Sequence, residues 1–308
     1  MATASSPFST PGIVHAAAGL EKFSLSRFAP GPQLKPFVDH FWVVRYDLPA
    51  GTTHTQTVLS YPNVHLAFEH DEGRRTLVYG IPRRPFVREL RGTGRTLGVR
   101  FRAGGFFPFW RRDVAQLTGK TVPATHVFGP QAEHWADTVL DAGDDAAMAR
   151  AAERLLSACL PDPDPRAELA AQIVSIAMDE RDIIKAEQLS ERTDMSLRRL
   201  QRLFRRYVGV GPKWVIKRFR LQEAAERIEH EPDLALTDLA VELGYFDQAH
   251  FIKDFKAVLG QTPAEYRTAA RHALGARRGE GASENEQGSD ARAPVPGLDK
   301  RPGRAVES

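Results

Sequence analysis

The stretch from Ser196 to Arg220, SLRRLQRLFRRYVGVGPKWVIKRFR, decides how this chain is interpreted. It contains nine Arg or Lys residues and no Asp or Glu, although the whole 308-residue chain has a formal net charge of only +3. A window this one-sided on a nearly balanced chain predicts a local surface for a polyanion, because the weak overall charge cannot provide general attraction.

The first half of this stretch predicts one short helix with its polar side outward. Its apolar residues recur at steps of three and four, which is typical of a helix with one buried face. Ser196 can cap the helix by accepting a bond from a first-turn amide, and Gly209 can adopt the left-handed conformation that ends it. The apolar residues are Leu197, Leu200, Leu203, Phe204 and Tyr207, and the opposite stripe holds Arg198, Gln201, Arg202 and Arg205.

A second copy of the pattern lies 51 residues later. Leu200, Phe204, Gly209 and Pro212 are matched by Phe251, Phe255, Gly260 and Pro263. A shorter helical pattern and a brief turn precede each copy, KAEQLSERTDM in the first and LTDLAVELGYF in the second, so the spacing predicts two helix-turn-helix units. Between them, PKWVIKRFRLQEAAERIEH predicts a helix of about five turns that holds the two reading helices roughly 34 Å apart, one turn of B-DNA.

Residues 166–271 resemble the AraC/XylS family of bacterial transcription regulators. The most specific portion is LALTDLAVELGYFDQAHFIKDFKAVLGQTPAEYR, in which the family pattern is met by Leu239, Ala240, Gly244, Tyr245, Asp247, Phe251, Phe255, Gly260, Thr262, Pro263 and Tyr266. The resemblance implies two units per protomer, base reading by the second helix of each unit, and regulation of transcription initiation.

Carried over position by position, the resemblance assigns the base-reading residues. They are Arg198, Gln201 and Arg202 in the first unit and Gln248, Ala249, Ile252 and Lys253 in the second. Arg can bind guanine and Gln can bind adenine with paired hydrogen bonds, whereas Ala and Ile can only touch a thymine methyl, so the first helix is expected to dominate specificity.

A further set of basic residues is expected to contact phosphates and fix the register without reading sequence. The set is Arg205, Arg206, Lys213, Lys217 and Arg218. A charged face that only meets water is the alternative, and the single sign of the charge together with the repeated motif favours DNA.

The chain is expected to form an α+β protein. We predict disorder at 1–20, a β-rich sensor or dimerisation domain at 21–160, a Pro-rich linker at 161–165, the DNA-binding domain at 166–271 and a disordered tail at 272–308. In the β-rich part the predicted strands are HFWVVRYDL, TQTVLSY, NVHLAFEH, TLVYG, PFVREL and RTLGVRFRA, which form a small antiparallel sheet or barrel, with helices after Gly104. This part resembles the reduced cupin-like sensor domains of the same family, which implies binding of a small effector or dimerisation.

The β-rich part offers few groups for chemistry. The metal-ligand candidates are His54, His65, Glu69 and His70, but they lack the close pair of histidines that a metal-binding cupin needs. Strand alternation also sends His65 and His70 to opposite faces, so no metal is predicted.

A run of arginines is interpreted as a solvated strand face, with an anionic effector pocket as the alternative. The run is Arg83, Arg84, Arg88, Arg91, Arg95, Arg100 and Arg102. The aromatic residues Trp42, Tyr46, Phe68 and Trp110 are expected in the core.

Enzymes and membrane proteins are not expected. The single cysteine, Cys159, lies among leucines with no His nearby, so it predicts a buried apolar group and neither a disulfide nor a nucleophile. No catalytic triad, phosphate loop or dinucleotide fingerprint appears, and no cofactor is predicted. The absence of an 18-residue apolar stretch and of a signal sequence predicts a bacterial cytoplasmic protein.

The expected partner is double-stranded promoter DNA. RNA polymerase, a small-molecule effector and a second copy of the chain are further expected partners. The alternative function is that of a DNA-binding interaction scaffold without a small-molecule ligand. Salt separates a true DNA reader from a scaffold, because phosphate contacts release counterions and binding then falls steeply as salt rises.

Overall fold

The computed structural model describes residues 20–59, 61–71, 73–231 and 233–271. Its first part is an antiparallel β structure and its second part is helical, as the α+β prediction expected. The strands are β1 Ser24–Phe28, β2 Val38–Asp47, β3 Thr53–Val58, β4 His65–His70, β5 Arg74–Tyr79, β6 Phe86–Arg91, β7 Thr93–Phe101 and β8 Thr121–Pro123. Strands β2 to β7 are the six that the sequence predicted, whereas β1 and β8 were not predicted.

The strands form two antiparallel sheets. The larger has the order β1-β2-β7-β4-β5-β8, and β3 pairs with β6 in a separate two-stranded sheet. Side chains along β4 alternate between the two faces of the larger sheet. Leu66 and Phe68, both fully buried, belong to the main hydrophobic core, while Ala67 and Glu69 line a cavity that residues of both sheets enclose.

The β-rich part also has four α-helices, the first between β7 and β8 and the others after β8. They are α1 Phe107–Trp110, α2 Thr125–Phe128, α3 Trp135–Leu140 and α4 Asp145–Ala158. The carboxylate of Asp145 at the start of α4 accepts a hydrogen bond from Ser26 of β1 at 2.8 Å and pairs with Arg45 of β2. Helix α4 therefore packs against the larger sheet.

The second part consists of six labelled helices. They are α5 Pro165–Asp179, α6 Ala186–Arg192, α7 Leu197–Leu203, α8 Pro212–His230, α9 Leu236–Glu242 and α10 Gln248–Leu259. A π-helical turn, Phe204–Val208, extends α7, and residues 263–271 are helical. The proline-rich segment ends directly in a helix, because Asp164 caps α5 by accepting from the amide of Arg166 at 2.8 Å and Pro165 occupies the first helical position.

The hydrophobic cores do not follow the proline-rich segment. One core joins the β-rich part to α5, α6, α7 and the first half of α8, and a second core holds α9, α10, the rest of α8 and Leu59. At the junction, the rings of Phe107 and Tyr207 are 4.2 Å apart between centroids. The first helix-turn-helix unit therefore packs against the β-rich part, and the division of the chain at 161–165 stays a prediction.

Two predictions concern other regions of the chain. The disordered ends proposed at 1–20 and 272–308 fall outside the described residues apart from Leu20. Among the helices that the structure describes, none has the length and apolar character needed to cross a bilayer.

Candidate nucleic-acid interface and adjoining cavity

The first helix-turn-helix unit consists of α6 and α7. Leu200 and Phe204, both fully buried, fix α7 and its π-helical extension to the core, and Gly209 ends the segment with φ at +97°. The helix begins after Ser196 as predicted, but the Ser196 side chain makes no capping hydrogen bond, so the capping role expected for it is wrong.

The outward side of α7 carries the predicted base-reading residues. Arg198, Gln201 and Arg202 are all exposed, so the buried stripe and the exposed stripe separate as the spacing predicted. No ion pair among the described residues includes Arg198 or Arg202. These two guanidinium groups are therefore available to an external anion.

Three of the predicted phosphate-contacting residues are also exposed, namely Arg205, Arg206 and Lys213. Two of them approach the β-rich part as well. The guanidinium of Arg206 lies 5.1 Å from the centroid of the Phe107 ring, and Arg205 Nε is 3.7 Å from the Asp113 carboxylate. The first recognition segment, Leu197–Val208, consists of α7 and its π-helical extension. Its C-terminal end therefore contacts the β-rich part.

The prediction that Arg218 contacts phosphate is wrong. Its side chain is 2% exposed, lies 4.9 Å from the Trp214 ring centroid and donates to the Val258 carbonyl at 3.4 Å. Burial lowers the pKa of Arg218 to about 10. This arginine fastens α8 to α10, and it cannot reach a duplex.

Two other basic residues of the stretch also serve the protein. Arg220 is 3% exposed, donates to the carbonyls of Ala177 and Met178 and pairs with Glu223. Lys217 Nζ lies 2.5 Å from the Asp254 carboxylate, so its charge is matched within the chain and its predicted phosphate contact loses its main support. The cationic surface is therefore smaller than the sequence window suggested.

The second unit consists of α9 and α10. The Asp247 carboxylate caps α10 by accepting from the amide of His250 at 2.7 Å, and Phe251 and Phe255 are fully buried. Of the four predicted reading residues, Gln248, Ala249 and Lys253 are exposed and Ile252 is half-buried. Asp254 points to the other side, where it meets Lys217 and lies 3.3 Å from His250 Nε2.

A cavity of about 570 Å³ lies between the larger sheet and the β3-β6 sheet. This volume is within the range of small-molecule sites. Most of its wall is apolar or aromatic, with side chains of β2, β3, β4 and β6 facing one another. The aromatic lining residues are Phe23, Trp42, Tyr46, Tyr79 and Phe86. Tyr46 is buried in a small core cluster, as expected, and also borders this cavity. Trp42 is half-buried and lines the cavity, so the expectation that it fills the core is corrected.

Close approach across β2 and β7 forms part of this wall. Trp42 pairs with Gly98 in the strand register, and a side chain at Gly98 would place its first carbon 2.0 Å from Trp42 Cε2. The Trp42 ring therefore lies over Gly98. Any larger residue at position 98 would displace the ring. Trp42 Nε1 donates to His65 Nδ1 at 3.4 Å, and burial, followed by the charges of Arg100 and His40, lowers the pKa of His65 to about 3.

One buried carboxylate faces the cavity. Glu69, 3% exposed, accepts from the Tyr79 hydroxyl at 2.7 Å and from Arg75 at 3.0 Å, and Arg88 lies at 3.4 Å. Burial and the nearby Glu69 charge raise the pKa of Tyr79, so its hydroxyl stays a donor. Since two guanidinium groups compensate Glu69, the carboxylate gives the cavity no net negative charge.

The arginine run separates into two groups. Arg83, Arg84 and Arg88 line the cavity, together with Lys120. The others contact residues of the chain itself: Arg91 pairs with Glu89, Arg95 with Asp141 and Arg102 with Glu168, and Arg100 lies over the Tyr61 ring. Arg83 and Arg84 are exposed, as the solvated interpretation expected, although they also line the cavity, and Arg88 is half-buried beside Glu69. An anionic effector at this group stays a prediction.

Comparisons with known proteins match both parts of the chain. Residues 189–269 match a family described as "Helix-turn-helix domain", and residues 26–123 match a "Domain of unknown function (DUF6597)". The probable transcription factor PqrA of Proteus vulgaris is 32% identical over 84 residues, which are 27% of this chain and 68% of that protein. The transcriptional activator AarP of Providencia stuartii is 40% identical over 68 residues, 22% of this chain and 50% of AarP.

Other matches cover smaller shares or are more distant. An uncharacterized HTH-type transcriptional regulator of Haemophilus influenzae is 31% identical over 99 residues, 32% of this chain and only 33% of that protein. The crystal structure of apo ToxT from Vibrio cholerae covers 75% of this chain and 97% of its own, with 11% identity and a TM-score of 0.38.

The duplicated helix-turn-helix units, the matching family model over residues 189–269 and the coverage of 68% of PqrA indicate the same family. The chain belongs to the AraC/XylS family of helix-turn-helix transcription regulators.

Proposed function

We propose that this protein is a sequence-specific regulator of transcription that inserts α7 and α10 into successive major grooves of promoter DNA and is controlled by a small molecule bound in the β-rich part. The observation that carries the DNA-binding half is the exposed Arg198, Gln201 and Arg202 on α7, opposite the face that buries Leu200 and Leu203. Arginine and glutamine are the side chains that pair with guanine and adenine in the major groove.

The proposed base readers are Arg198, Gln201 and Arg202 in α7 and Gln248, Ala249, Ile252 and Lys253 in α10. The proposed phosphate contacts are now Arg205, Arg206 and Lys213, since Arg218 is buried and Lys217 is paired with Asp254. The proposed contacts of the first unit include more cationic side chains than those of α10. This supports the expectation that the first unit dominates both affinity and specificity.

The experiment that tests this half is selection of binding sites from a random duplex library by the purified full-length protein, followed by titration at several salt concentrations. A defined consensus, with affinity that falls steeply as salt rises, is the expected result. Binding without a sequence preference would contradict it and would favour the scaffold alternative.

The cavity supports the effector half of the proposal. It is enclosed by aromatic walls, and its charged groups are the compensated Glu69 and the cationic Arg83, Arg84 and Lys120. This arrangement suits a neutral or anionic small molecule with an apolar body, and it disfavours a cation. The presence of such a cavity also argues against a scaffold that binds no ligand.

A short segment links this cavity to the DNA-binding unit. Gly119, Lys120 and Thr121 line the cavity, and Thr118 directly before them donates its hydroxyl to the Gly209 carbonyl at 2.7 Å. Gly209 ends the first recognition segment. A ligand that moves this segment would therefore shift α7, which is the route that we propose for effector control.

A thermal-shift screen of metabolites tests the effector half. We expect neutral or anionic aromatic and aliphatic compounds to raise the midpoint of unfolding, with the gain reduced by an Arg84→Gln substitution for the anionic compounds only. If only cations stabilised the protein, the assigned ligand class would be rejected.

The proposed function also has consequences for partners and location. A regulator of initiation meets RNA polymerase at the promoter, and a second copy of the chain is the partner expected on an operator with two sites. Sedimentation of the protein with and without its selected DNA measures the dimer. Such a regulator works in the bacterial cytoplasm, at the nucleoid when bound.

A further inference from the structure

The second recognition helix is preceded by a fully exposed aromatic side chain. Phe246 is 99% exposed, the highest value among the exposed large hydrophobic residues that the structure describes, and the next is Val241 at 70%. A single exposed apolar residue needs no special explanation. The position of Phe246 does, because it directly precedes Asp247, the cap of α10.

Phe246 lies directly before α10, next to the extended cap residue Asp247. Within the helix, Ala249 and Lys253 are four positions apart and share one side. The opposite side carries the buried Phe251, Phe255 and Leu259, and both Ala249 and Lys253 are exposed. Phe246 thus stands at the N-terminal end of α10, the end that contacts base edges in a helix-turn-helix protein.

The chemistry of this face differs from that of the first unit. In α7 the outward side chains Arg198, Gln201 and Arg202 offer hydrogen-bond donors, whereas the leading end of α10 offers Phe246, Gln248 and Ala249, two of which are apolar. The major groove presents one apolar group, the 5-methyl of thymine, and phenylalanine and alanine are side chains that contact it.

Electrostatics make an apolar contact more important here. Asp247 is exposed at the leading end of α10, and the Lys217 ammonium that could offset the helix's acidic residues is already paired with Asp254. The second unit therefore has little net positive charge with which to hold phosphates. Burial of apolar surface can therefore add affinity that phosphate contacts do not supply in this unit.

We propose that Phe246, together with Ala249, packs against thymine methyl groups, so that the second unit selects a thymine-bearing half-site by hydrophobic contact. The first unit selects its half-site through hydrogen bonds from Arg198, Gln201 and Arg202. This inference rests on the proposed DNA-binding function, and it adds Phe246 to the specificity-determining residues.

Replacement of thymine by deoxyuridine tests the inference, since this change removes only the methyl group. The full-length protein is titrated with its selected duplex, in which the thymines of one half-site at a time are replaced. The half read by α7 is identified as the one where Arg202→Ala relaxes base preference. In the other half we expect affinity to fall about fourfold for each contacted methyl group.

A protein variant completes the test. Phe246→Ala is expected to weaken binding to the thymine duplex to a similar extent and to remove the response to deoxyuridine at the thymine that Phe246 contacts, because the two changes remove the same contact. Phe246→Leu should restore part of the response. Val241→Ala, which also removes an exposed apolar side chain from this unit, is the matched control and should leave binding unchanged.

Several outcomes would overturn the inference. Equal affinity for thymine and deoxyuridine duplexes would do so. A Phe246→Ala protein that binds DNA normally but fails to activate or repress transcription in vitro would also do so, because that result would assign Phe246 to a protein partner such as RNA polymerase. A selection that yields no consensus would reject the proposed function itself, which is a distinguishable result. Because Phe246 is exposed, unchanged thermal unfolding of the variant checks that it folds.

Discussion

The hydroxyl of Thr118 donates a hydrogen bond to the backbone carbonyl of Gly209, 91 positions away in the chain, at 2.7 Å. Thr118 adjoins the cavity-lining residues Gly119 and Lys120, and Gly209 ends the segment that carries the exposed Arg198, Gln201 and Arg202. One polar contact therefore joins the segment next to the cavity to the first helix-turn-helix unit.

Thr118→Val is expected to destabilise the protein by about 1 kcal/mol, because the Gly209 carbonyl loses its donor while the side-chain shape is kept. Urea unfolding measures the change. Thr138→Val is the control, since the Thr138 hydroxyl makes a 3.3 Å bond to the His134 carbonyl on an exposed helix surface. Equal effects of the two substitutions would show that the Thr118 contact adds nothing.

Gly209→Ala should be more destabilising than Gly260→Ala. Both glycines end a recognition segment at positive φ, +97° and +83°, so an alanine at either position carries a strain of about 1 kcal/mol. At Gly209 the added carbon would also lie 2.8 Å from Ile81 Cδ1, whereas nothing lies within 4 Å at Gly260. Crowding adds about 1–3 kcal/mol at Gly209 only, and chemical denaturation of both variants measures the difference.

Arg202→Ala is expected to lower affinity for the selected duplex by about 1–3 kcal/mol and to relax base preference at one position, because a paired guanine contact is lost. Repeating the binding-site selection with the variant measures this preference. A uniform loss on every sequence would instead make Arg202 a phosphate contact.

Lys213→Met and Arg218→Met should differ in their salt dependence. Loss of a phosphate contact lowers the slope of log affinity against log salt by about 1, and this is expected for the exposed Lys213. The buried Arg218 releases no counterion on binding, so its variant should keep the slope of the natural protein. A reduced slope in Arg218→Met would restore the phosphate role that burial rules out.

His65 should make the protein less stable in acid. Its pKa is lowered to about 3 in the folded chain and is about 6.5 when unfolded, so above pH 6.5 both states hold it neutral. Below pH 6.5 the unfolded state binds a proton that the folded state does not, and stability falls by at most about 1.4 kcal/mol per pH unit down to pH 3.

Urea unfolding at pH 7, 6 and 5 compares the natural protein with His65→Gln, which should lose this part of the pH dependence. The exposed His70 provides the control, as His70→Gln should keep it. The expectation is rejected if His65→Gln and the natural protein have the same pH dependence.

The helical half was largely predictable because its signals are local. Pro212 begins α8, Gly209 and Gly260 end their segments in the left-handed conformation, and α7 begins after Ser196 as predicted. Burial along α8 was not predictable in the same way. Whether Arg218 faces solvent depends on where α10 packs, and that depends on contacts between residues about 40 positions apart.

The cavity shows the limit more clearly. Trp42, His65, Glu69 and Arg88 belong to three strands, and nothing in the spacing of one strand reveals which of its faces will meet the β3-β6 sheet. The sequence therefore indicated the arginine run, but its division into cavity-lining and ion-paired residues depends on the order of strands in the sheets. Strands β1 and β8 were missed because they are short and have no regular alternation.

One hydrophobic core includes residues from both sides of the proline-rich segment, so the two halves of the chain are expected to evolve together. A recombination event that joined residues 1–165 to the C-terminal half of another regulator would keep Phe107 and replace its neighbour Tyr207, leaving a mismatched interior. Mutations on either side of this seam are therefore expected to be compensated on the other. The second unit, whose interior includes only Leu59 from the β-rich part, is freer to diverge, so new promoter preferences should arise there at lower risk to folding.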